Sequence, residues 1–154
     1  MSESFETIRY TADVVCVRDA ARGPEVLTIR RGWPPHEGRL ALPGGHVDPG
    51  ETGRAAAARE LFEETGVRVA QERLIFVGLF DDPGRDPRGR YLSAAWVVVV
   101  AGDTVARAGD DAADVAWVPL DDPGGLAFDH NRIVYLARRD QLAWLRSRPE
   151  AGGR

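Results

Sequence analysis

Glu60, Glu63 and Glu64 bring three carboxylates into one turn of an expected helix, and Gly66 follows as the residue that ends it. Like charges at i, i+3 and i+4 repel one another. The C-terminal end of a helix also carries partial negative charge. Helix stability alone would favour arginine at these positions. A bound divalent cation removes the conflict, and Mg²⁺ suits the site because it prefers carboxylate oxygens, waters and phosphates. At about 100° per residue the three acids share one arc, with Ala55, Ala58, Leu61 and Phe62 on the opposite side. The expectation is an apolar face packed into a core and a carboxylate face left open. Arg59 precedes Glu63 by four residues, where it can hold a carboxylate or balance charge. Ahead of the helix run Ala41, Leu42, Pro43, Gly44 and Gly45, with Pro49 and Gly50 beyond, a tight loop in which backbone can approach a ligand.

The spacing is specific. Gly45, Glu51, Arg59, Glu60, Leu61, Glu63, Glu64, Gly66 and Val67 match every fixed position of the Nudix box, and the segment resembles that motif without departure. A chance match at one starting point is on the order of one in a billion at average residue frequencies. The resemblance implies an α/β fold, an α/β/α sandwich with a mixed β-sheet. It also implies hydrolysis of a nucleoside diphosphate linked to another group, with Glu60, Glu63 and Glu64 holding Mg²⁺ (Mn²⁺ as the alternative). The Gly45 carbonyl is a further candidate ligand, and Glu51 a support for the cluster or its loop. Glu60, Glu63, Glu64 and Arg59 are the expected catalytic set. The general base stays open between Glu60, Glu63 and an acid of the later loop holding Asp110, Asp111 and Asp114.

These residues need a frame. Strands are expected at about 9–17 and 26–30, a hairpin across Arg22-Gly23-Pro24, and at 39–42, 74–80, 91–101 and 115–120. The box helix should span 53–65. Asp129 is expected to cap a last helix that buries Ile133, Leu136, Leu142 and Leu145. One domain is expected over residues 1–147, with a disordered tail at 148–154. At 154 residues, with 44% hydrophobic and 29% charged side chains, the chain can bury a proper core.

Two further stretches bear on the substrate. The loop Pro83-Gly84-Arg85-Asp86-Pro87-Arg88-Gly89 offers two arginines able to grip phosphate oxygens. Leu126-Ala127-Phe128-Asp129-His130 opens the last helix. Together they resemble the ADP-ribose pyrophosphatase branch of the Nudix family, over about residues 10–136. That resemblance implies cleavage of ADP-ribose to AMP and ribose 5-phosphate. The candidate substrate contacts are Arg85, Arg88, Phe128, His130 and Trp33, the last as a stacking surface for a base. The alternatives are a nucleoside triphosphate, NADH or a nucleotide sugar as substrate, or a non-catalytic ADP-ribose sensor. About eight residues precede the first strand and little follows Leu120, which leaves no room for a winged helix. With the acids intact, this favours an enzyme.

Composition narrows the partners. A net charge of −4 and a pI near 5.4 argue against general nucleic-acid binding. Cys16 is alone, so no intrachain disulfide can form, which suits a reducing compartment. The start, MSESFETIRY, has no apolar signal core, and the run 94–101 is too short to span a membrane. A cytoplasmic location without membrane partners is expected, and apolar strand surface would allow a homodimer.

Overall fold

The computed structural model describes residues 2–109 and 111–143. Seven strands form one mixed sheet flanked by a helix on each face: β1 Arg9–Ala20, β2 Gly23–Arg31, β3 Leu40–Ala41, β4 Gly44–His46, β5 Ile75–Phe80, β6 Tyr91–Val100 and β7 Ala112–Pro119. β1 lies parallel to β6, and every other pairing is antiparallel. The expected α/β sandwich with a mixed sheet is therefore present.

β1 organises the molecule. It is apolar on both sides, as a strand buried on both faces should be. Ala12, Val14 and Cys16 pack with helix α1 (Gly53–Thr65), and Val15 and Val17 pack with helix α2 (His130–Ala137). Strand alternation then puts Asp13 on the α2 side. Along one edge of β1, residues Thr11–Asp13 pair with β4 and Val17–Ala20 with β2.

Several boundaries differ from expectation. The hairpin turn is shorter: Ala20 pairs with Gly23, so Gly23 and Pro24 belong to β2. The segment after Leu42 is no free loop, because Gly44–His46 forms a strand on β1, and Pro43 and Tyr10 carbonyls accept from Val14 and Val47 N–H groups. β7 begins at Ala112, which moves Asp114 from the expected loop into a strand opposite Arg30. The last helix changes at Arg138 into a π-helical turn ending at Leu142. Ile133 and Leu142 are buried and Leu136 is partly so, while Leu145 and the expected tail lie outside the described residues.

α1 starts at Thr52, whose Oγ1 accepts from Ala55 N–H at 3.1 Å. It ends at Gly66 in the left-handed region (φ 70°), with the Gly66 N–H on the Phe62 carbonyl. Its buried face is Gly53, Ala56, Ala57, Leu61 and Thr65, and Phe62 faces out. This corrects the helical-wheel expectation. Glu60 and Glu64 lie within the buried arc, between α1 and β4, and not opposite it. Leu61 is fully buried, and cutting it to alanine is expected to cost about 2–5 kcal/mol.

Candidate active site

The α1 carboxylates are held by short backbone and arginine contacts. Gly44 N–H donates to Glu64 Oε2 at 3.1 Å. Arg59 Nη1 donates to Glu60 Oε1 at 2.8 Å and to Glu63 Oε2 at 3.1 Å. Its Nε and Nη2 grip both oxygens of Glu51, each at 2.9 Å, and Nη2 also reaches the His46 carbonyl. A guanidinium has five N–H groups, and these five bonds use them all. Arg59 therefore ties the Glu51 loop and β4 to the acids and has no N–H left for a substrate.

The electrostatics of this cluster are unfavourable by design of the fold. Burial, opposed by the Gly44 hydrogen bond and reinforced by the charges of Glu60, Asp13 and Asp111, raises the Glu64 carboxyl to about 8. Burial also raises Glu60, although Arg59 opposes it. A cavity of about 540 Å³ opens beside the cluster, lined by Glu60, Glu63, Glu64, Arg107 and Asp111. Its far wall folds back onto the helix end: Arg107 and Gly109 N–H groups donate to the Thr65 and Glu64 carbonyls at 2.8 and 2.9 Å. Gly109 permits this, since a Cβ there would sit 1.7 Å from the Glu63 carbonyl oxygen. Of the loop acids, Asp111 lines this cavity. Asp114, on β7, accepts from its neighbour Val115 N–H, and Asp110 lies outside the described residues.

On the other side of Glu64 is a second, narrower cleft of about 170 Å³. Arg85, Arg88, Phe128 and His130 all line it, so four of the five expected substrate contacts are brought together. Trp33 is not among them and is 71% exposed. The two loop arginines are already paired. Arg85, its side chain only 4% exposed, binds Asp129 at 2.6 Å; burial works against its charge, but Asp129 outweighs it and raises the guanidinium. Arg88 binds Asp86 at 2.8 Å, and burial of Asp86 is overcome by that contact, which lowers the Asp86 carboxyl. His130 Nδ1 accepts from Leu42 N–H at 2.9 Å, and burial lowers this imidazole, so its proton sits on Nε2.

Two cleft residues escaped the sequence reading. Arg31, at the end of β2, makes no ion pair among the described residues and donates instead to the Pro35 carbonyl at 2.7 Å. Its guanidinium lies 4.8 Å from the Phe128 ring, and burial together with Arg88 lowers its pKa. Asp13 is buried on the cleft floor. The basic end of a strand before Gly-Trp-Pro-Pro was the only available signal for Arg31. An acid inside an apolar run was the signal for Asp13.

The family model for the NUDIX domain matches residues 7–139. The chain belongs to the Nudix family of hydrolases. An ADP-ribose pyrophosphatase of Methanocaldococcus jannaschii is 38% identical over 120 residues, covering 78% of this chain and 67% of that protein. A Mycobacterium tuberculosis relative whose name refers to 8-oxo-dGTP is 39% identical over 128 residues, 70% of this chain and 82% of its own. Among solved structures, a MutT/nudix family protein of Enterococcus faecalis superposes with a TM-score of 0.80 at 29% identity, over 89% of this chain and 63% of that one. The NUDIX domain of Shewanella oneidensis NrtR, in complex with ADP ribose, gives 0.79 at 27% identity, over 87% and 88%.

The donor set of this Nudix chain fits a hard divalent ion. All side-chain donors are carboxylate oxygens, two of them desolvated beside other negative charges, where a cation would relieve the repulsion. Gly45 leaves room beside them, because a Cβ there would meet the Glu60 carboxyl at 2.5 Å. Among the described residues no three such side chains already converge as an ion would require. Arg59 Nη1 bridges Glu60 and Glu63.

Proposed function

We propose that this Nudix hydrolase cleaves ADP-ribose to AMP and ribose 5-phosphate with Mg²⁺, Mn²⁺ serving as substitute. The observation that carries the reading is Glu64, which lines both cavities: the acidic one and the arginine-lined cleft. A diphosphate spanning that residue would have carboxylates on one side and Arg31 and Arg88 on the other. Glu60, Glu63 and Glu64, with the Gly45 carbonyl, would hold the metal. The ion, when bound, neutralises phosphate oxygens and makes water a better nucleophile.

The remaining work falls to the chain itself. Arg59 and Gly44 N–H fix the carboxylates. Arg31, which has no carboxylate partner among the described residues, supplies positive charge to a phosphate, and Arg88 adds charge at the rim, where its side chain is 41% exposed. Phe128 presents an aromatic ring 4.8 Å from the Arg31 guanidinium and 5.8 Å from that of Arg88. Glu60, Glu63 and Asp111 are the candidates to take a proton from water, because all three face the acidic cavity. Among the described residues no helix is long and apolar enough to cross a membrane, and a small nucleotide substrate agrees with a cytoplasmic enzyme.

The test is product formation with Mg²⁺ across ADP-ribose, NADH, nucleotide sugars, nucleoside triphosphates and 8-oxo-dGTP. The expected result is the highest kcat/KM for ADP-ribose. A tenfold preference for any other compound would keep the hydrolase chemistry and overturn the substrate.

A further inference from the structure

We propose that Asp13 determines specificity by accepting a hydrogen bond from a sugar hydroxyl of the substrate, a role that rests on the diphosphate reading above. Asp13 is 7% exposed, yet its carboxylate is scarcely satisfied. Ser93 Oγ donates to Oδ2. His130 Nε2 stands 3.7 Å from the same oxygen, beyond hydrogen-bond distance. Oδ1 has no donor among the described residues. The residue is buried, but Oδ1 itself keeps some solvent access, so most of the acceptor capacity of this carboxylate is open to a ligand.

The surroundings keep Oδ1 uncovered. Gly44 pairs with Asp13 in the β1–β4 ladder, and a Cβ on Gly44 would lie 2.3 Å from Oδ1. Asp13 and Gly44 both line the cleft. The cleft's 170 Å³ is below the roughly 300–1,000 Å³ that encloses a whole drug-sized ligand, so it takes one ring-sized part. A carboxylate accepts only, and it repels phosphate. The group beside it must be a neutral donor attached to a phosphate that Arg31 can hold. A sugar hydroxyl meets both demands, and carboxylate to ribose hydroxyl is an established pairing. Thr11, Arg31 and His130 give the cleft polar lining for a sugar, and Tyr91 and Phe128 line it as well, so the test includes an analogue altered in the base.

The experiment compares ADP-ribose with two analogues, one carrying 2-deoxyribose at the terminal sugar and one carrying inosine for adenosine. Each is assayed for kcat/KM with Mg²⁺ and for binding by calorimetry without metal. Wild type is expected to lose roughly 10- to 100-fold on the deoxy analogue and little on the inosine analogue. Asp13→Ala, which removes the acceptor, should be weaker on ADP-ribose and indifferent to the deletion. If Asp13→Ala fails to fold, Asp13→Ser replaces it, since a small hydroxyl can still receive the Ser93 O–H and is too short to reach the sugar. Equal penalties for the deletion in wild type and variant would overturn the proposal, as would a penalty confined to the inosine analogue. So would a uniform fall in kcat for all three ligands, which a purely structural Asp13 would give. Binding that discriminates the hydroxyl without turnover would sink the ADP-ribose hydrolysis reading and leave the Asp13 assignment standing. Absence of both binding and turnover would overturn both.

Discussion

Asp129 opens α2 with its carboxylate turned onto Arg85, whose Nη2 and Nε donate to Oδ1 and Oδ2 at 2.6 and 3.0 Å, and it caps no helix N–H. A good capping residue type is thus used as a clamp between the 81–90 loop and the start of α2. Asp129→Ala would leave a buried guanidinium unpaired and is expected to cost about 3–5 kcal/mol in urea denaturation. Combined with Arg85→Met, much of that loss should be recovered. Additive single effects, within about 0.5 kcal/mol, would show that the two side chains do not act as a pair.

Neighbouring glycines should fail differently. A Cβ on Gly44 meets the Ala12 carbonyl oxygen, fixed backbone, at 2.3 Å. Gly44→Ala is therefore expected to destabilise the fold by about 2 kcal/mol or more. At Gly45 the obstacle is the end of the Glu60 side chain, which can swing away. Gly45→Ala should fold with near-normal stability but lose activity, because Glu60 leaves its place. Thermal melts alongside Mg²⁺-dependent turnover separate the two; equal stability losses would contradict the contrast.

Arg31 lacks a carboxylate partner among the described residues and sits near Arg88. Arg31→Met keeps the stem and removes the charge. Its kcat/KM for ADP-ribose should fall by roughly 10- to 100-fold. Stability should stay within about 1 kcal/mol, since only hydrogen bonds to loop carbonyls are lost. Unchanged kinetics would remove Arg31 from the phosphate site.

His130 gives the fold a definite acid response. Burial lowers its folded pKa; Asp13 and Asp129 oppose this, and Arg85 and Arg31 add to it. The unfolded chain, titrating near about 6.5, then binds more protons than the folded one. Stability contributed by neutral His130 is present above that pH and is lost as pH falls below it. The difference in unfolding free energy between wild type and His130→Gln should shrink from pH 7.5 to 5, by at most about 1.4 kcal/mol per pH unit. A difference that does not vary with pH would mean the imidazole titrates normally.

The motif-bearing half of the site was legible because its chemistry is local. Glu60, Glu63 and Glu64 share one helix, and Arg59 reaches its acids from within it. Even there the wheel misjudged the buried side, since the small Ala56 and Ala57, not Phe62, carry the contact with the sheet. Asp13 meets Ser93 across 80 residues and His130 across 117, and no local pattern encodes such pairs. The same holds for Arg85, whose apparent freedom in a surface loop ends 44 residues later at Asp129. β4 looks like a loop in the sequence because two glycines and a histidine carry no strand signature; its place is set by pairing with β1.

The central claim is tested most directly by Glu64→Gln beside wild type, with ADP-ribose and Mg²⁺, following AMP and ribose 5-phosphate by ³¹P NMR. The account predicts equal amounts of the two products from wild type. The variant should lose about 10²- to 10³-fold or more in kcat while its circular dichroism spectrum and melting stay near normal. Wild-type rates in Glu64→Gln would contradict the assignment of this carboxylate to the reaction.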